Sequence, residues 1–170
     1  MNLKPFITDI PDFPKPGIIF KDLSPLYLNA SSFQSAIEQL LAILPSADAI
    51  DKVVGIESRG FIMGSVLAQH LNAGFVTVRK KGKLPGDIIS RRYDLEYGSA
   101  TLEIQKDAIK KGEHVLIHDD VLATGGTAKA TCDLVEDLGG TIVQCNFLVE
   151  LTSLKGRANL KAPIGTLLTY

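Results

Sequence analysis

The sequence predicts an α/β fold in which a central, mostly parallel, twisted sheet is flanked by helices. Three observations carry that expectation. Short apolar runs alternate with segments of helical spacing along the chain, the pattern of strand–helix–strand units with right-handed crossovers. Val115, Leu116 and Ile117 are apolar without a break, as in a strand covered on both faces. The chain has 170 residues, 45% hydrophobic and 22% charged. At this size roughly 70% of the unfolded surface is buried on folding, enough for one core without staples.

The elements follow in order. Pro5, Pro11, Pro14, Pro16 and Pro25 make the first 25 residues an extended, turn-rich arm rather than a helix. Ser31 and Ser32 offer N-caps to a helix in which Phe33, Ile37, Leu40, Leu41 and Leu44 share a face, and Pro45 stops it. A strand from Val53 to Ile56 precedes a helix from Phe61 to Leu71, which Asn72 or Gly74 can end. Phe75 to Val78 is a strand that runs into Arg79, Lys80 and Lys81. The charged stretch from Lys80 to Arg92, with Gly82, Pro85 and Gly86, is expected to be a long mobile loop. Ala100 to Gln105 alternates as a strand, with Leu102 and Ile104 on one face and Thr101 and Glu103 on the other. After the Val115–Ile117 strand, a helix runs from about Gly126 to Leu138. The last long strand is Thr141 to Leu151.

Composition narrows the function. Eighteen Lys and Arg against nineteen Asp and Glu leave a net charge of −1, unlike a general nucleic-acid coat or a polybasic membrane binder. Neither a nucleic-acid partner nor a membrane is expected, since no run approaches 18 apolar residues. The N-terminal stretch, with four prolines and no apolar core, is not a signal peptide. Cys132 and Cys145 stand thirteen positions apart with no C-x-x-C partner and are expected as reduced core thiols of a cytoplasmic protein. The three histidines form no metal signature.

The chemistry is concentrated between Val115 and Thr127. Here a buried strand ends in two carboxylates, Asp119 and Asp120, and the turn Ala123-Thr-Gly-Gly-Thr127 opens a helix. Gly125 and Gly126 let the backbone curl so that successive N–H groups converge, while Thr124 and Thr127 add hydroxyl donors. A helix N-terminus behind the turn favours a phosphate dianion. The paired carboxylates suit ribose hydroxyls, Mg²⁺ or a developing positive charge. Neither G-x-x-x-x-G-K-[S/T] nor G-x-G-x-x-G occurs, which excludes a Walker A loop and a dinucleotide fingerprint. In an open parallel sheet, ligands bind at the carboxyl ends of the strands. Glu57–Gly60, Arg79–Gly86 and Asp119–Thr127 should therefore meet at one edge.

Strand–Asp-Asp–x-x–Ala-Thr-Gly-Gly-Thr resembles the phosphoribosyl-pyrophosphate (PRPP) motif of type I phosphoribosyltransferases. Other segments resemble the adenine-specific branch over nearly the whole chain. Phe13-Pro-Lys-Pro-Gly-Ile-Ile-Phe-Lys-Asp-Leu-Ser-Pro25 is similar to its N-terminal hood, and Gly55-Ile-Glu-Ser-Arg-Gly-Phe61 to its pyrophosphate loop. Arg79-Lys-Lys-Gly-Lys-Leu-Pro-Gly86 and Leu95-Glu-Tyr-Gly98 are similar to its flexible loop and the segment after it. Leu148 to Arg157 matches near the C-terminus.

The resemblance implies one phosphoribosyltransferase domain over residues 1–170, with residues 1–30 contributing to the hood. It also implies transfer of ribose 5-phosphate from PRPP to adenine, giving AMP and pyrophosphate. Ala123, Thr124, Gly125, Gly126 and Thr127 would hold the 5′-phosphate; Asp119 and Asp120 would face the ribose and favour its oxocarbenium-like state. Glu57, Ser58, Arg59 and Gly60, with Arg79, Lys80 and Lys83, would hold pyrophosphate, on a loop carrying a cis peptide at Glu57–Ser58. Ile19, Phe20, Lys21 and Val121 would bind adenine. Lys21 replaces an arginine common in relatives, and Val121 a larger aliphatic residue. Glu96 would handle the N9 proton as Tyr97 helps to close the site. Mg²⁺ would be held mainly by substrate oxygens, with no protein ligand assigned. His118, where relatives usually have an apolar residue, is read as a hydrogen-bonded core histidine. A homodimer is implied, with Arg79 reaching toward the neighbouring site. A PRPP-binding regulator would need a nucleic-acid surface for which 170 residues leave no separate domain. The hood argues against a hypoxanthine, guanine or xanthine enzyme.

Overall fold

The computed structural model describes residues 1–45, 50–94 and 98–170. Its first segment forms an antiparallel hairpin of β1 (Thr8–Pro11) and β2 (Ile19–Asp22). The prolines confine this arm to edge strands and turns, as the sequence leads one to expect. A short helix that the sequence did not disclose, α1 (Ser24–Leu28), places Pro25 in its first turn, where the missing N–H costs nothing. In α2 (Ala30–Ala42) the cap is Asn29, not a serine: its side chain accepts the N–H of Ser32 at 3.0 Å.

The main sheet has seven strands: β3 (Lys52–Ile56), β4 (Gly74–Lys80), β5 (Ile88–Asp94), β6 (Ser99–Gln105), β7 (His114–Leu122), β8 (Thr141–Glu150) and β9 (Ile164–Thr169). Their order is β5-β6-β4-β3-β7-β8-β9. Pairing is parallel from β4 through β3, β7 and β8 to β9 and antiparallel at β4–β6 and β5–β6. The expected mostly parallel α/β architecture is present. Helix α3 (Gly60–His70) joins β3 to β4, and α4 (Gly126–Asp137) joins β7 to β8.

Each sheet face buries a separate apolar cluster. On one, Val54, Ile56, Val115 and Ile117 meet Ala130, Leu134 and Val135 of α4. On the other, Val53, Leu116 and Leu148 meet Ile37 and Leu40 of α2 and Met63 and Leu67 of α3. That double cover is why Val115–Ile117 carries no polar residue. Among the described residues, no helix is long and apolar enough to cross a membrane.

Two expectations need correction. The stretch from Lys80 to Arg92 is not one long loop, because β4 runs to Lys80 and β5 begins at Ile88. The charges hid an edge strand whose arginines have partners: Arg91 pairs with Asp137 of α4, and Arg92 Nε donates to Ser99 Oγ at 2.8 Å. Strand β7 also does not end at the aspartates but continues to Leu122, so Asp119 and Asp120 stand on strand backbone. Strand β9 was not foreseen at all.

Candidate active site

A cleft of about 380 Å³ opens where β3, β4 and β7 end. Its wall combines Ile19, Phe20 and Lys21 of the hairpin, Glu57, Ser58 and Arg59 after β3, and Lys80 at the end of β4. Asp119, Asp120, Val121, Ala123 and Thr127 line it from β7 and the turn beyond, and Ile18, Tyr93, Leu102 and Leu151 line it too. Segments up to about a hundred residues apart thus converge at one sheet edge. Thr124 and Gly125 line a smaller adjoining recess with Ala123 and Thr127. Gly126 is the first residue of α4. Gly60 lies beneath the aspartates, where a Cβ would come 3.0 Å from Asp119 Oδ1 and 2.8 Å from the His118 carbonyl. The Glu57–Ser58 peptide is cis. Glu96 and Tyr97 lie outside the described residues.

The two aspartates differ in their surroundings. Asp120 is buried, and its Oδ2 lies 2.7 Å from Arg59 Nε. Burial raises the pKa of both carboxyls. For Asp119 the charge of Asp120 raises it further, whereas Arg59 opposes the rise at Asp120. The Arg59 guanidinium also sits over the Phe20 ring, 5.1 Å from its centroid, so one cation touches both the hood and the paired acids. Phe20 in turn meets Phe13 edge-on at 5.2 Å. Phe20 thus packs within the arm and also lines the cleft. Lys21 lines the cleft too, but its ammonium is directed away, to Asp9 Oδ1 at 2.6 Å and over the Tyr170 ring.

A second ionic cluster surrounds Glu57. Lys83 Nζ lies 2.5 Å from its Oε1, the Lys80 N–H donates to Oε2 at 2.9 Å, and Arg79 Nε is 3.4 Å from Oε2. Burial alone would raise the Glu57 pKa, yet Lys83, the Lys80 amide and Arg79 together hold it down to about 2. Arg79 and Lys83 therefore reach the cleft through Glu57 rather than by lining it.

The turn after β7 depends on a distant support. Gly125 has φ +82°, and a Cβ there would lie 2.5 Å from the carbonyl oxygen of Gly156. Asn159 Nδ2 donates to the Thr124 carbonyl at 2.7 Å. The Leu148–Arg157 match in the sequence was the only signal for this buttress. Glu103 was missed as well: it is buried, and its carboxylate accepts the Gly82 N–H at 2.8 Å, tying down the loop after β4. Tyr27 of α1 is another, with a buried hydroxyl that has no hydrogen-bond partner among the described residues and a pKa raised by burial and by Asp120.

His118 is a core histidine, as expected. It is fully buried, and its ring hydrogen-bonds Asn146 Oδ1 through Nδ1 at 2.7 Å. Because that oxygen only accepts, Nδ1 carries the proton. Burial pushes the ring's pKa down to about 4, against the opposing pull of Asn146.

The phosphoribosyl transferase domain family matches residues 27–163. An adenine phosphoribosyltransferase of Flavobacterium johnsoniae is 59% identical over 171 residues, covering 100% of both chains. The chain belongs to the adenine phosphoribosyltransferase family. The family's solved structures share the whole fold. That of the Rhodothermus marinus adenine phosphoribosyltransferase superposes with a TM-score of 0.94 at 55% identity, over 99% of this chain and 96% of the other. That of the Saccharomyces cerevisiae adenine phosphoribosyltransferase, complexed with adenine and an imino-altritol bisphosphate, gives 0.92 at 47% identity, over 98% and 96%. The hood hairpin, the Ser58-Arg59 turn and the Asp119-Asp120 strand are thus parts of an adenine phosphoribosyltransferase fold.

Proposed function

We propose that this chain transfers ribose 5-phosphate from PRPP to adenine, with Mg²⁺, and releases AMP and pyrophosphate. Family membership at 59% identity supports the activity, and one observation carries the assignment of roles. Hood, pyrophosphate turn, paired aspartates and phosphate turn all face a single cleft. The chain acts as one domain, residues 1–170, with residues 1–30 contributing to the hood.

In this reading the C1′–O bond to pyrophosphate breaks as the bond from C1′ to adenine N9 forms. Positive charge grows on the ribose ring while negative charge collects on the leaving group, so fixed charges of both signs are needed. Asp119 and Asp120 face the ring. Ser58, Arg59, Arg79, Lys80 and Lys83 face the leaving group, and residues 123–127 hold the 5′-phosphate. Ile19, Phe20, Lys21 and Val121 enclose the base, Phe20 by stacking. Glu96 takes the N9 proton. Closure of the cleft excludes water, which would otherwise capture the ribosyl cation.

Mg²⁺ suits the donors present. Asp119 and Asp120 are hard oxygen groups at the cleft, and Asp120 is already paired with Arg59. In this reading Mg²⁺ would be held mainly by pyrophosphate and ribose oxygens, and Asp119 and Asp120 would be available to its water shell. When bound, the ion neutralises charge on the leaving group. The two buried free thiols, hydrogen-bonded Sγ to Sγ at 3.5 Å, support a reducing, cytoplasmic setting. A homodimer is the assembly we infer, and sedimentation at several concentrations tests it.

The deciding assay supplies PRPP and Mg²⁺ with adenine, hypoxanthine or guanine and measures nucleotide and pyrophosphate. Stoichiometric AMP and pyrophosphate from adenine are expected. PRPP binding without AMP formation overturns the transferase assignment, and equal rates with the three bases overturn the base assignment.

A further inference from the structure

Two of the cations assigned to pyrophosphate, Arg79 and Lys83, are already engaged by a carboxylate of their own chain. Glu57 follows directly on β3, where its N–H donates to the Val78 carbonyl at 2.9 Å. Its side chain is only 7% exposed, against 34% for Arg79 and 47% for Lys83. The carboxylate thus sits inside, and the two cations close over it from the solvent side. Both of its oxygens are used: Oε1 by Lys83 Nζ and Arg79 Nη2, Oε2 by the Lys80 N–H and Arg79 Nε. Arg79 Nη1 also donates to the Lys83 carbonyl at 3.3 Å. The same loop is pinned from its other side, where Glu103 accepts the Gly82 N–H.

This is the donor set that a phosphate group would want: a guanidinium, an ammonium and a backbone N–H around one anionic group. We propose that Glu57 is an internal stand-in for pyrophosphate, a positioning residue that holds Arg79 and Lys83 between turnovers and competes with the leaving group for them. The proposal rests on the transferase reading above and adds to it a role opposite to that expected from sequence. Glu57 does not grip pyrophosphate; it weakens the grip of the residues that do.

The physical consequence is a limit on product affinity. One carboxylate facing two cations leaves net positive charge, so the site still attracts a polyanion. Each contact that pyrophosphate makes with Arg79 or Lys83 is nevertheless gained at the expense of an existing, half-buried ion pair. A multiply charged anion wins that exchange more easily than a single phosphate does. Once the ribosyl bond to pyrophosphate is broken, Glu57 is positioned to take the cations back, which favours release.

The test is product inhibition by magnesium pyrophosphate in wild type, Glu57→Gln, Lys83→Met and the double variant. Glutamine keeps an acceptor for the Lys80 N–H but removes the charge. Glu57→Gln should tighten pyrophosphate inhibition by about three- to tenfold, the size of a roughly 1 kcal/mol ion-pair effect, and should lower kcat as release slows. Lys83→Met should weaken inhibition, and in its background the gain from Glu57→Gln should shrink. A lesion in loop structure would weaken pyrophosphate binding instead, so unchanged or weaker inhibition in Glu57→Gln overturns the proposal. Should the glutamine variant not fold, Glu57→Asp, which withdraws the carboxylate by one methylene, must shift inhibition in the same direction or the proposal falls. If wild type forms AMP without any inhibition by pyrophosphate, the assignment of the cations has failed; if it forms no AMP, the transferase reading has failed.

Discussion

Arg59 Nε lies 2.7 Å from Asp120 Oδ2, which joins the turn after β3 to the strand that carries the paired acids. The pair is unequal in burial: the arginine side chain is 40% exposed and the aspartate 5%. The exposed partner can reorient toward an arriving anion, while the buried one stays where the strand holds it. In the proposed reaction Arg59 would turn to pyrophosphate, and the positive charge growing on the ribose would replace it as the partner that favours ionised Asp120.

Asp120→Asn should therefore fall on chemistry rather than on folding. We expect kcat to drop by about 10²–10³, the usual cost of losing one preorganised electrostatic group. The melting temperature should change little, because the variant removes a buried charge and leaves only a solvated arginine without its partner. Steady-state rates and a thermal melt check both halves, and unchanged turnover would remove Asp120 from the reaction.

Phe20→Ala separates the base site from the phosphate sites. Losing a stacking face costs about 1 kcal/mol beyond simple burial, so the KM for adenine should rise about fivefold or more. The KM for PRPP should move less. Phe20→Tyr keeps the ring and should behave nearly as wild type. Equal increases in both constants in the alanine variant would show that the ring serves only to hold the arm in shape against Phe13 and Arg59.

Gly156→Ala probes the phosphate turn from behind. The new Cβ would stand 2.1 Å from the Ala123 carbonyl oxygen, so one backbone must give way. Overpacking of this kind costs about 1–3 kcal/mol. The KM for PRPP should rise at least about tenfold while that for adenine stays within about twofold. Wild-type PRPP kinetics in this variant would mean that the turn holds its shape without the Gly156 contact.

His118 should make the fold sensitive to acid. Its ring is neutral in the folded chain down to about pH 4, whereas an unfolded histidine takes a proton near 6.5. The unfolded state then binds more protons between those values, so stability is full above about pH 6.5 and falls as the pH drops toward 4. Lowering the pH from about 7.5 to about 5 should cost about 2 kcal/mol from this residue alone. In His118→Gln that component of the pH slope should vanish, whatever the variant's absolute stability. Urea unfolding at the two pH values measures the slope, and identical slopes would place the proton elsewhere.

The glycine turn proposed to hold phosphate and the paired acids could be read from sequence because their chemistry is local. Strand, carboxylates, glycine turn and helix start follow within the thirteen residues from Val115 to Thr127. The core strands and helices were legible for a similar reason, since burial on one or two faces imposes its own period. Ile88–Asp94 escaped because an edge strand needs no apolar alternation on its open face, and Ser90, Arg91 and Arg92 look like loop. Strand β9, half-buried at the opposite edge, was overlooked too.

What the sequence by itself determined was the alternating α/β plan, the acidic strand, the glycine turn that opens α4 and, by resemblance, the branch of the family. Only the tertiary structure decided which charges meet. Lys83 and Glu57 are 26 residues apart, His118 and Asn146 are 28 apart, and Gly156 supports Ala123 from beyond an entire helix and strand. Those pairings follow from strand order and from where the loops turn. Neither is set by local propensity, because short-range side-chain preferences carry no information about which distant strand becomes a neighbour.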